Sequence, residues 1–190
     1  KRTDGFIPSY FEASFGMKGK SDDGISKEEY FKIDKIKLRG TIDRIDINNE
    51  EGKFNILDYK TNGKTITGTE IISGKSLQLP VYLLAAEKML QDKNQILTKW
   101  KMFIYSLKDS NKDFGQEEVQ FALRRSKNYD PEIGNKEFLP RIPEIVNEIV
   151  DNISAGMFRP QESDKTCRYC DFVNICRVKE IQKKVTVDNS

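Results

Sequence analysis

The sequence predicts an α/β fold: a central mixed β-sheet with an antiparallel hairpin in it and helices at its flanks. Three observations carry that expectation. Two strand-like runs meet across Asn48-Asn49-Glu50-Glu51-Gly52, a polar stretch of hairpin length. A helical apolar repeat from 76 to about 91 leads into a compact apolar run at 100–107, and a crossover helix supports one parallel pairing. A second amphipathic pattern, at 138–154, supplies another helix.

Taken in order, the opening Ile7-Pro8-Ser9-Tyr10-Phe11-Glu12-Ala13-Ser14-Phe15-Gly16 is apolar for a terminus. Residues 18–29, rich in Lys, Asp, Gly and Ser, read as an exposed loop. Strand-like sequence runs from 30 to 47, with Leu38, Gly40 and Ile42 on one face and Thr41, Asp43, Ile45 and Ile47 on the other. Residues 53–60 complete the hairpin, and 61–75 read as a polar loop. In the helix at 76–91, Leu77, Val81, Leu84, Ala85 and Met89 share a face. Pro80 falls in its first turn, where the missing N–H costs little. A buried strand is expected at 100–107 and another at 118–123. The late helix runs through Leu139, Ile142, Ile145, Val146, Ile149 and Ile153, with Gly156 suited to stop it. Residues 1–160 are expected to form the main domain, followed by a Cys-containing segment and polar tail at 161–190.

Composition narrows the function. Of 190 residues, 37% are hydrophobic and 33% charged, which suits one polar globular domain. No apolar run approaches the roughly 20 residues of a membrane span. The chain opens Lys1-Arg2-Thr3-Asp4-Gly5 without an apolar leader, so a soluble, cytoplasmic protein is expected. A net charge of +2 means that any nucleic-acid footprint is local. The absence of His excludes His general bases and His metal ligands within this chain. Three Cys in one short window, an odd and clustered set, point to metal ligation rather than disulfides.

The hairpin holds the chemistry. Asp58 and Lys60 are two apart on a strand, so both side chains face one way. Pairing across the turn sets 47 near 53, and Asp43 then falls opposite roughly 57 or 58. Two carboxylates converging in a partly buried site repel unless a cation lies between them. Such hard oxygen ligands suit Mg²⁺ or Mn²⁺, with the backbone carbonyl of Tyr59 as a further ligand. An ion there polarises a phosphodiester and activates water, and a neighbouring lysine steadies developing charge. By spacing alone, the same residues also describe a solvated cross-face ion pair.

Three motifs go further. Gly40-Thr41-Ile42-Asp43-Arg44-Ile45-Asp46, then Ile56-Leu57-Asp58-Tyr59-Lys60-Thr61, then Gln78-Leu79-Pro80-Val81-Tyr82 resemble, in order and separation, the RecB-type nuclease family of the PD-(D/E)xK superfamily. Within it they are most similar to the C-terminal nuclease domain of AddB-type helicase–nuclease subunits. The resemblance implies a restriction-endonuclease-like core, Asp43 and Asp58 as metal ligands and Lys60 as the catalytic lysine. Gln78 and Tyr82 would hold the site or the DNA from the helix; taken alone, they are helix-surface and core residues. Asp46 carries less weight, since it points away from Asp43.

Cys167, Cys170 and Cys176, spaced Cys-x2-Cys-x5-Cys, resemble the trio that in such proteins joins one upstream Cys around a [4Fe–4S] cluster. Four ligands are needed and this chain has three Cys, so the cluster is incomplete here or the thiols are free. The family's additional metal-binding His has no counterpart. Glu12 matches a Pro-x-x-x-Glu feature of that region and would assist from the N-terminal side; on its own it reads as a surface or capping carboxylate. A domain of a larger helicase–nuclease polypeptide is therefore expected, its first Cys and any His upstream of Lys1. The function expected is metal-dependent DNA exonuclease activity in recombination and repair. The alternatives are a non-catalytic DNA-binding or scaffold domain and a CRISPR-associated-type exonuclease.

Overall fold

The apolar opening stretch is itself a strand, β1 (Ile7–Phe15), which its sequence pattern alone does not announce. Pro8 interrupts that pattern and is tolerated because β1 lies at a sheet edge. The computed structural model describes residues 4–18, 24–61, 66–107, 115–122, 126–158, 167–168 and 170–176. The chain forms two compact units, Lys1–Ile149 and Val150–Ser190.

The strand expected at 30–47 is three: β2 (Phe31–Ile33), β3 (Ile36–Leu38) and β4 (Gly40–Asn48). β2 and β3 pair only with each other, turning through Asp34 at a φ of 50°. Asp is among the few side chains that accept this conformation readily, which breaks the run where hydropathy did not. β5 (Lys53–Lys60) pairs antiparallel with β4, Asn48 opposite Lys53 and Arg44 opposite Leu57. Their turn closes as expected: the Glu51 N–H donates to Asn48 Oδ1 at 3.0 Å, and Gly52 takes a φ of 62°.

Part of the expected loop at 61–75 is a short helix, α1 (Gly68–Ile72). Thr67 and Glu70 cap it reciprocally, the Glu70 N–H donating to Thr67 Oγ1 at 3.2 Å and the Thr67 N–H to Glu70 Oε2 at 3.0 Å. Next comes α2 (Gln78–Gln91), whose deepest stripe is Leu79, Leu83, Ala86 and Leu90. Leu77, Val81 and Leu84 of the expected face are only partly buried, while Ala85 and Met89 are buried as expected. α2 is apolar on most sides between 77 and 90, so periodicity did not single out the stripe that meets the sheet.

β6 (Thr98–Ser106) runs parallel to β5, and β7 (Gly115–Val119) antiparallel to β6. The sheet order is β1-β4-β5-β6-β7, mixed as expected. β7 begins before the expected 118–123 strand, of which 123 lies outside the described residues. The late helix expected at 138–154 is α4 (Arg141–Ser154), and a further helix, α3 (Pro131–Phe138), precedes it. α3 starts at an Asp130 cap with Pro131 behind it, a signature the apolar pattern overshadowed. Gly156 terminates α4 at a φ of 69°, and the Met157 N–H reaches back to the Asn152 carbonyl at 2.8 Å. In the second unit, α5 (Val173–Cys176) is one turn long. Among the described residues no helix is long and apolar enough to cross a membrane.

The core lies between the sheet and α2, with Ile142 and Val146 of α4 joining it. Simple alternation fails at one place in β4. Its core residues are Ile42, Ile45 and Ile47, a step of three and then of two. β1 does the same through Tyr10, Ala13 and Phe15. Both long steps span the neighbouring positions Glu12 and Asp43, flanked by the pairs Phe11↔Arg44 and Ala13↔Ile42. Glu12 has a φ of 51°, and both strands change the side they present there, while the register shift of the pair lies between Pro8 and Tyr10. The expected shared face of Thr41, Asp43, Ile45 and Ile47 is corrected accordingly.

Gly40 follows from packing. A Cβ on it would meet Tyr82 Cε1 at 2.7 Å and Phe15 Cζ at 3.0 Å, and those two rings stand edge-to-face at 5.8 Å. Gly40→Ala is expected to lower unfolding free energy by about 1–3 kcal/mol through overpacking, measured by urea denaturation.

Candidate active site

Asp43 sits where β4 parts from β5. The last paired residues are Arg44 and Leu57, and beyond them the Tyr59 N–H finds no ladder carbonyl. It donates instead to Asp43 Oδ2 at 2.7 Å. The change of face at Glu12 and Asp43 is what turns a strand side chain into a backbone's partner. Asp58 follows on β5, 3% exposed and level with Ile104 of β6. Two steps on, Lys60 places Nζ 2.7 Å from Asp58 Oδ2.

Gln78, at the first position of α2, closes the group. Its Nε2 donates to Asp58 Oδ1 at 3.0 Å, and its Oε1 accepts from Lys60 Nζ at 3.3 Å. α2 has no side-chain cap at Leu77, and Gln78 in its first turn reaches the β5 carboxylate. Asp58 Oδ2 is a buried oxygen that takes no hydrogen bond, and the Lys60 ammonium beside it is an ion-pair contact only. The structure thus brings together Asp43, Asp58, Lys60 and Gln78. Tyr82 serves differently: its ring packs on Phe15 and Gly40 in the core.

Burial holds the Asp43 carboxyl above the ordinary aspartate range. The Tyr59 N–H draws it down, the Asp58 and Glu12 carboxylates push it up, and Lys60 offsets part of that. Glu12 therefore faces the site electrostatically, from the exposed side of β1. Two like charges at a buried corner, one with an unsatisfied oxygen, fit a hard divalent cation. Mg²⁺ commonly takes only one or two carboxylates, with water and substrate phosphate completing its shell. Among the described residues no three Cys, Asp or Glu side chains form a ligand set on their own.

That statement includes the thiols. Cys167, Cys170 and Cys176 are free and half-buried, in a turn where the Cys176 N–H meets the Phe172 carbonyl at 2.9 Å. They are not gathered around a common point, so as they stand they do not fit a four-ligand cluster.

Sequence reasoning missed what lies on the reverse face. Arg44 Nε and Nη2 grip Asp46 Oδ1 and Oδ2 at 2.6 and 2.7 Å, and Nη1 donates to the Tyr59 hydroxyl at 3.1 Å. Asp46 is completely buried, and its carboxylate holds the Arg44 guanidinium still more firmly in its charged form. The Arg-x-Asp spacing on one strand was the available signal.

The raised Asp43 pKa has a definite sign for stability. Folded protein holds that proton more tightly than unfolded chain, so the contribution favours folding in acid and is lost as pH rises through the folded pKa. In EDTA at neutral pH, Asp43→Asn, which keeps an acceptor for Tyr59, is expected to raise Tm. The gain should shrink as the buffer is made acidic; a Tm below wild type at neutral pH would contradict it.

The family model for the PD-(D/E)XK nuclease superfamily matches residues 1–177. The chain is 28% identical, over 96% of its length, to an ATP-dependent helicase/deoxyribonuclease subunit of Carboxydothermus hydrogenoformans, covering 21% of that protein. The protein of the same name from Alkaliphilus metalliredigens is 26% identical over 90% of the chain, which covers 19% of it. The chain thus spans about a fifth of the length of these relatives.

Proposed function

We propose, from the premise that the chain belongs to the PD-(D/E)XK nuclease superfamily, that it is a metal-dependent DNA nuclease domain acting as an exonuclease. Asp43, Asp58 and the Tyr59 carbonyl would hold Mg²⁺ or Mn²⁺, with Glu12 as a nearby charge. Bound there, the ion supplies Lewis-acid stabilisation of a phosphodiester and a more acidic water.

The chain's own residues do the rest. The Tyr59 N–H keeps the Asp43 carboxylate turned toward β5. Gln78 holds Asp58 and Lys60 in one plane of contacts, which fixes the lysine although its side chain is 39% exposed. Lys60, partly open to solvent, is placed to meet a phosphate and steady developing negative charge or orient the attacking water. The observation that carries the reading is the buried Asp58 carboxylate, its Oδ2 held only by the Lys60 ion pair, beside a second carboxylate.

Relatives named as helicase/deoxyribonuclease subunits support DNA as the substrate and a part in a larger helicase–nuclease; residues 1–160 would be its nuclease domain, acting in the cytoplasm in recombination and repair. A [4Fe–4S] cluster would need a fourth ligand besides Cys167, Cys170 and Cys176. On linear single- and double-stranded DNA, Mg²⁺-dependent digestion to 5′-phosphate products is expected. Asp58→Ala and Lys60→Ala should each reduce it by about 10²–10³-fold. Undiminished activity in either variant would remove that residue from the site.

A further inference from the structure

We infer that Arg44 is a positioning residue that acts through Tyr59, from the reverse face of the sheet, on the corner where Asp43 meets its cation; the inference rests on the nuclease reading above. Tyr59 lies between Asp58 and Lys60 on β5, so its ring projects to the face opposite theirs. Three separate contacts fix it. Its N–H holds Asp43 at 2.7 Å, its hydroxyl accepts from Arg44 Nη1 at 3.1 Å, and its ring stands edge-to-face with Tyr105 at a centroid distance of 5.6 Å.

Arg44 is an unusually rigid donor for an arginine. The fork of Nε and Nη2 on both oxygens of the fully buried Asp46 forbids it to swivel, and leaves Nη1 aimed at Tyr59. In an extended strand the N–H and C=O of one residue leave by the same edge. Holding the Tyr59 ring therefore holds both the N–H that carries Asp43 and the carbonyl next to it. Arg44 donates to Asp46 and to the Tyr59 hydroxyl rather than to the carboxylates of the site. Their effect is transmitted through the backbone of one residue, Tyr59, as outer partners of metal ligands commonly act. The arrangement also accounts for Arg44 and Asp46 within the first motif, which the site itself leaves unused.

The test uses the full chain. Mn²⁺ affinity is measured by titration calorimetry for wild type, Tyr59→Phe, Arg44→Lys and the double variant, and metal-free Tm is measured in EDTA. Tyr59→Phe removes one oxygen and leaves the ring on Tyr105, so the fold is kept. Each single variant should weaken Mn²⁺ binding about tenfold, the double variant no more than either alone. The metal-free Tm of Tyr59→Phe should fall by about 2–4 °C, as for one lost hydrogen bond. Wild-type affinity in Tyr59→Phe, or losses that multiply in the double variant, would overturn the inference. Asp43→Ala separates it from the site assignment. If Asp43→Ala abolishes binding while Tyr59→Phe does not weaken it, only the positioning role fails. If binding survives Asp43→Ala, the metal site fails, and the clamp with it.

Discussion

A carboxylate standing in for a backbone carbonyl is the contact on which this site depends. Where β4 and β5 separate, the Tyr59 N–H would be left without a partner, and a buried amide cannot stay so at low cost. Asp43 supplies the acceptor, and in doing so its side chain is carried out of the ordinary pleat to the corner beside Asp58. The change of face at Glu12 and Asp43 makes that possible. A regular ladder would satisfy Tyr59 from the backbone and leave Asp43 alternating with its neighbours.

The two faces of the sheet settle their charges in different ways. On the reverse face, Arg44 and Asp46 meet in a two-pronged ion pair, and removing either would cost the interior a compensated charge. Toward α2 the balance is left open: Asp58 keeps an oxygen without a hydrogen bond, and Asp43 ionises less readily than an exposed aspartate. Proteins tolerate such incomplete satisfaction mainly where a ligand completes it. The apolar core beneath, from Ile45 and Ile56 to Leu79 and Leu83, is closed, with partners on every side. Stability resides there, and the corner is free to be poorly solvated.

How much could be read from the residues follows the range of the forces involved. The hairpin was readable because Asn48 to Gly52 is a local turn, and the Asp58–Lys60 pair because period two is local as well. The register was accurate to about one residue, enough to bring Asp43 to Asp58. What failed was non-local or competing. The change of face at Asp43 comes from β1, across a strand pair that the sequence does not announce. The face of α2 was chosen by the sheet from a helix apolar on most sides. α1 and α3 were hidden although Thr67, Glu70 and Asp130 spell out their caps, because apolar periodicity is a louder signal than capping. Gln78 was identified through family likeness, while the Arg44–Tyr59 contact needed the fold.

The irregularity at Glu12 has one more effect, on solubility. β1 is the outer strand of the sheet, and an outer strand offers its free amides and carbonyls to any similar segment of another molecule. Here Pro8 has no amide to give, Glu12 twists the backbone off the regular path and brings a charge, and the Lys27 segment bonds to Ser14 and Gly16 at the far end. Little unbroken edge is left for another chain to copy. The distortion that aims a carboxylate inward thus also guards the sheet against growing outward into aggregates.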